Sequence, residues 1–217
     1  MLTYKDIDNG KKALIFGVDD VLFPKKDYLL QVYYLFANLL EYTETVPPAG
    51  DLTEFLKKAY AHHGEAGLFE RAAAAFAIDK KYQTQFENMH KTARLPAKLL
   101  LYQAMLDLMR AAHEDGKQLL VFATGDPIVA LNKLRYVEWN GLDKVIKVYF
   151  GAELRAKGLD PLDFLLEAHG LQAAEVVHIH AGDDVDEALA GRVDSLEARR
   201  FLMPEGQGAD GVVPNNE

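Results

Sequence analysis

Ala13-Leu14-Ile15-Phe16-Gly17-Val18-Asp19-Asp20-Val21-Leu22-Phe23 is the stretch that decides the fold. Four apolar residues of strand length come first. Two adjacent carboxylates, Asp19 and Asp20, follow, and then a second apolar triplet. A buried strand that delivers acids at its carboxyl end is how an open α/β sheet builds a site. Gly17 stands where the first acid of such a site would be expected.

Outward from this stretch the chain alternates. Residues 1–10 read as a short arm, and Pro24 with Lys25-Lys26-Asp27 marks an exit to the surface. From Tyr28 to about Arg94 the apolar spacing is helical throughout. Leu29, Val32, Phe36, Leu39 and Leu40 form one stripe, and Pro47-Pro48 breaks it. Asp51 with Glu54 predicts a capping-box start for the next helix. Two more helices are expected over Glu70–Ile78 and Lys80–Thr92.

Beyond Pro96, Leu101, Met105, Leu108 and Ala112 form another helical stripe, ending at Asp115-Gly116. Gln118–Ala123 is an apolar strand that runs into Thr124-Gly125-Asp126-Pro127, with Asp126 a good N-cap and Pro127 a good first helical residue. Further strands are expected over Lys144–Phe150, Glu175–Ala181 and Arg200–Met203. Helices are expected from Asp160-Pro161 to His169 and over Glu187–Arg192. The tail from Pro204 is rich in Gly, Pro and Asn.

Strands alternating with helices, each strand a continuous apolar run, predict an α/β fold with a doubly wound parallel sheet. The expected division is a core of residues 1–23 and 95–217 with an all-helical insertion over 24–94. The polar turns all follow strands, so Asp19, Thr124 and Asp183 are expected at one edge of the sheet.

Composition narrows the function. Apolar residues make up 49% of the 217, enough for a proper core, and the net charge is −9. That charge argues against a general grip on nucleic acid or anionic membrane. The chain has no cysteine, hence no thiolate metal site and no cysteine nucleophile. The start is polar and no apolar run approaches the ~18 residues of a membrane span, so a cytoplasmic protein is expected.

The pattern as a whole resembles the haloacid dehalogenase superfamily, with a helical cap inserted straight after the first strand. The likeness covers about residues 11–203. It implies a Rossmann-like core and four converging signatures. These are Asp-x-Asp after strand 1, a Thr or Ser after strand 2, a Lys ahead of a helix, and an acidic pair after strand 4. It also implies Mg²⁺ between the carboxylates and an aspartyl-phosphate on the first Asp. A carboxylate can attack phosphorus when Mg²⁺ and Lys neutralise the charge that would repel it.

Set on this pattern, Gly17 takes the nucleophile position and Asp19 that of the acid/base. Thr124 and Gly125 match the phosphate-binding turn. Ungapped alignment on Asp160-Pro161 puts Gly158 at the Lys position, with Lys157 one residue early. Lys157 is either a displaced catalytic lysine or a solvated one. Asp183 matches the first acid of the last pair, and Ala188 falls on the second. Asp186 and Glu187 stand nearby, as displaced ligands or as acids of a helix first turn.

His178 and His180 share one strand face, and a histidine just before Gly-Asp is common in the family without being a ligand. Tyr28, Tyr33, Tyr34, Tyr42 and Tyr60 are packing residues or substrate contacts; Arg71 and Arg94 are further candidates for the cleft.

The resemblance therefore implies one of two things. Either the chain has lost phosphohydrolase activity and is retained to bind a small phosphorylated molecule, an anion or a partner, or it is a weak Mg²⁺-dependent hydrolase working through Asp19, Thr124 and Asp183. A purely structural or dimerising role is a third reading.

Overall fold

The computed structural model describes residues 1–182 and 185–202. Asp183, the expected metal ligand, lies outside them. The described chain divides into two compact units: Met1–Phe23 with Leu101–Pro127 and Trp139 onward, and Pro24–Leu100 with Ile128–Glu138. The second unit contains all of 24–94 and adds 95–100 and 128–138.

In chain order the elements are β1 (Ala13–Phe16), α1 (Lys25–Glu44), α2 (Ala49–His63), α3 (Leu68–Phe76), α4 (Gln83–Thr92), β2 (Leu99–Leu100) and α5 (Gln103–Glu114). They continue with β3 (Gln118–Ala123), α6 (Pro127–Tyr136), β4 (Val137–Glu138), β5 (Ile146–Phe150), α7 (Gly151–Ala156) and α8 (Pro161–His169). β6 (Val176–His180), β7 (Asp194–Glu197) and α9 (Arg199–Leu202) complete the set.

The first unit is built on a five-stranded parallel sheet in the order β5-β3-β1-β6-β7. β1 lies at its centre, with all four residues buried. Ala13, Ile15, Leu120, Phe122 and Val176 turn to one face. There they pack against Leu154 of α7, Leu162 and Leu165 of α8, and Leu189 and Val193. Alternation sends Leu14, Phe16, Leu119, Val121, Val177 and Ile179 to the other face. Because every strand runs the same way, all the carboxyl ends meet along one edge.

The second unit is helical apart from the short β2–β4 pair. α1 buries Tyr28, Leu29, Val32, Tyr33, Phe36, Ala37 and Leu40, a stripe of helical period. Phe86 of α4 fills the space between them, 4.9 Å from the Phe36 ring and edge-on to it, and stacked 5.9 Å from Tyr33. Tyr28 donates to the His90 carbonyl, and the Asn132 amide reaches Ala93 O at 3.2 Å. Tyr28 and Tyr33 are thus packing residues of this unit, whereas Tyr34 and Tyr42 are exposed. Arg71 is tied to Ala66 O at 2.7 Å. Among the described residues no helix is long and apolar enough to cross a membrane.

Three sequence expectations are corrected. No helix forms over 187–192; the segment is a turn. Asp186 is placed as an N-cap, its side chain accepting from Ala188 N at 2.9 Å and its carbonyl from Leu189 N and Ala190 N, but the chain makes a single turn. Gly191, at φ +69°, then ends the turn. Arg200–Leu202 is not a strand but part of α9, and Met203 lies outside the described residues. The last strand is Asp194–Glu197, an edge strand whose partial exposure hides it from an apolar-run reading. α2 begins two residues before Asp51, with Pro48 as its N-cap, so Asp51 supplies first-turn charge rather than a cap.

Candidate functional site

β1 ends at Phe16, whose neighbours in register are Val121 on β3 and Ile179 on β6. Gly17 continues the ladder by one bond, its N–H donating to Ile179 O at 2.9 Å. The chain then turns. Leu22 N bonds Val18 O at 3.0 Å, and Asp20 N bonds Phe23 O at 3.0 Å. Asp20 sits in the left-handed region at φ +56°, which a short polar side chain tolerates. Asp19 is half-buried and Asp20 exposed.

Thr124 follows β3 directly and is half-buried; Gly125 takes φ +72° in open space, and α6 begins at Pro127 as its sequence predicts. The sheet therefore brings Gly17, Asp19 and Thr124 to the same edge. Lys157 is not gathered into that edge by any contact among the described residues. It is exposed, and its N–H closes α7 on Leu154 O at 3.0 Å. Gly158 continues that stop at φ +74°, bonding Arg155 O at 2.9 Å. The position aligned with the family's lysine is a helix terminator here.

Asp186 is buried, and its carboxylate is engaged by the Arg155 guanidinium as well as by Ala188 N. That pairing holds the Arg155 guanidinium even more firmly charged than usual. Glu187 lies 3.7 Å from Arg155 Nε and is solvent-exposed. Neither acid is presented as a spare ligand.

His178 and His180 are buried with ring centroids 5.4 Å apart. His180 Nδ1 accepts from Gly182 N at 3.0 Å, which places its proton on Nε2. Among the described residues no three metal-ligating side chains converge. Mg²⁺ needs several oxygen ligands. Of the expected ligands, Gly17 and Ala188 offer no oxygen side chain, Asp186 is already paired, Asp19 stands at the sheet edge, and Asp183 lies outside the described residues.

Arg155 went unread in the sequence. The signal was present: a glycine directly after a strand, with an arginine one helical turn later. A Cβ on Gly151 would lie 2.8 Å from Phe122 Cζ and 3.0 Å from Arg155 Nη1. Glycine is required there because the ring and the guanidinium both occupy that space.

Among solved structures the chain is similar to the magnesium-bound HAD-hydrolase YfnB from Bacillus subtilis, at TM-score 0.52 and 14% identity, covering 89% of each chain. The core has the haloacid dehalogenase-like fold. A hydrolase from Streptococcus pneumoniae matches at TM-score 0.46 and 14% identity over 86% of this chain and 92% of that one. A haloacid dehalogenase-like hydrolase from Burkholderia xenovorans matches at 0.45 and 12%, over 85% and 83%. No family model and no curated protein matches the chain. Within the haloacid dehalogenase-like fold, the end of the central strand is where Gly17 lies.

Proposed function

We propose that this chain is a haloacid dehalogenase-like protein that has given up aspartyl-phosphate hydrolysis and keeps the fold to bind a small phosphorylated molecule or anion. The observation that carries the reading is Gly17. At the end of the central strand it has no side chain to attack phosphorus or to ligate a metal. Loss of a catalytic group of this kind removes several powers of ten in rate. Gly158 in a left-handed helix stop and Asp186 engaged by Arg155 support the same conclusion, since neither supplies the charge that phosphoryl transfer needs.

A second reading has one observation in its favour: Asp19 and Thr124 stand at the same edge. In it, a water activated by Asp19 replaces the covalent step, and Asp19 and Asp183 would be the residues to hold Mg²⁺, which would supply charge neutralisation. Turnover of p-nitrophenyl phosphate with excess Mg²⁺ separates the two. The first reading expects the wild type at the buffer background. Saturable turnover that Asp19→Asn abolishes supports the second and overturns the first.

A further inference from the structure

We propose that Arg155 is the residue that holds the phosphate group of a ligand at the carboxyl edge of the sheet, a role that the sequence pattern gives to Lys157. The inference rests on the ligand-retention reading above and names the residue through which it works.

Register places Arg155. Ala123 of β3 pairs with Phe150 of β5, so Thr124 and Gly151 are the next residues beyond that pair on neighbouring strands. Neighbouring strands run about 4.8 Å apart. Arg155 folds back along α7 until Nη1 stands 3.0 Å from the Cβ position of Gly151. Its guanidinium is therefore carried back to the carboxyl end of β5, the strand that neighbours β3 and its Thr124. Open α/β sheets take ligands at this edge.

The guanidinium is oriented but not used up. Among the described residues it meets only Asp186, through Nη2, and Glu187, through Nε at 3.7 Å. Nη1 donates to neither, and the side chain is 37% exposed. Asp186 engages Nη2, while Nη1 lies over Gly151 and keeps donors of the kind that oxyanions take. Asp160 adds attraction for the guanidinium but makes no hydrogen bond or ion pair to it among the described residues. Arg192 Nη1 binds both of its oxygens, at 2.9 and 2.8 Å, and Arg192 also takes Asp163. Lys157 is exposed at the far end of α7, and among the described residues no side-chain contact aims it.

Isothermal titration of the full chain with inorganic phosphate at low ionic strength tests this. The wild type binds. Arg155→Met weakens binding roughly tenfold or more, the scale of losing a charge-assisted pair. Lys157→Met leaves it within about twofold. Asp186→Asn binds as well as the wild type or better, because a competing carboxylate is gone.

Far-UV circular dichroism identifies any variant that fails to fold. Should Arg155→Met be one, Arg155→Lys carries the test, with binding weakened because the fork is lost. Phosphate binding unchanged in a folded Arg155 variant, or lost in Lys157→Met, overturns the proposal and leaves the ligand-retention reading standing. Loss of binding in folded Asp186→Asn in parallel with the Arg155 variant shows a strut rather than a ligand-holding residue. A wild type that does not bind phosphate defeats both readings.

Discussion

Val21 Cγ2 stands 3.2 Å from the point where a Cβ on Gly17 would sit, and Val21 is buried. The two residues share one space. Gly17 has an ordinary backbone conformation, so sterics at Val21 rather than strain decide what it can become. Gly17→Ala gains a few tenths to 1 kcal/mol from the unfolded chain and loses about 1–3 kcal/mol to overpacking. A net destabilisation of about 1 kcal/mol is expected by chemical denaturation. A Val21→Ala background removes the clash, so the double variant is more stable than the sum of the single ones by about 1 kcal/mol.

Gly151 answers to harder neighbours. Its missing Cβ leaves room for the Phe122 ring, which is buried, and for Arg155 Nη1. Gly151→Ala is expected to cost about 1–3 kcal/mol, because a buried ring cannot yield as a flexible side chain does. Phe122→Leu in the same background recovers part of that loss, as thermal melting of the two variants would show.

At Gly158 the limit is the backbone. A side chain there meets no atom within 4 Å, but φ is +74°. Gly158→Lys restores the residue type the family pattern has at this position and costs about 1 kcal/mol for the left-handed conformation. A lower melting temperature with no gain in phosphomonoester turnover is the expected pair of results.

Two histidines set the acid limb of stability. Burial pushes His90 down, while its Nδ1 donates to Phe86 O at 3.0 Å. Burial, with Lys147 nearby, pushes His169 down, and its Nε2 accepts from Tyr149 Oη at 2.7 Å. Both stay neutral in the folded chain and protonate more readily when it unfolds. Stability is therefore complete above the ordinary histidine value near 6.5 and falls as the pH drops below it. The paired carboxylates Asp160 and Glu175 are held low, by Asp163 N and by Lys12 respectively, and keep their contribution until more acidic pH. Urea denaturation at pH 7.5 and 5.5 should show the loss, and the His90→Asn, His169→Gln double variant should flatten it.

How much of this was legible in the sequence depends on where the determining force acts. Ala13–Phe16 and Gln118–Ala123 are buried on both faces, so composition alone marks them as parallel strands. Asp194–Glu197 is an edge strand with one solvated side, and its residues carry no such mark. Asp186 reads as a first-turn acid. Its actual partner, Arg155, lies 31 positions away, and spacing arguments do not reach across that distance. Gly17 and Thr124 were readable because both follow strands directly; the fold-back of Arg155 depends on the room left by Gly151, which only the packing reveals.

The central claim is that no covalent phosphoenzyme forms, and mass spectrometry tests it most directly. The wild type is incubated with acetyl phosphate and Mg²⁺, quenched in acid and weighed intact. The expected result is the unmodified mass. A phosphoryl adduct that hydroxylamine removes, mapped to the peptide carrying Asp19 and Asp20, would contradict the account, because it would show that a neighbouring carboxylate has taken over the attack that Gly17 cannot make.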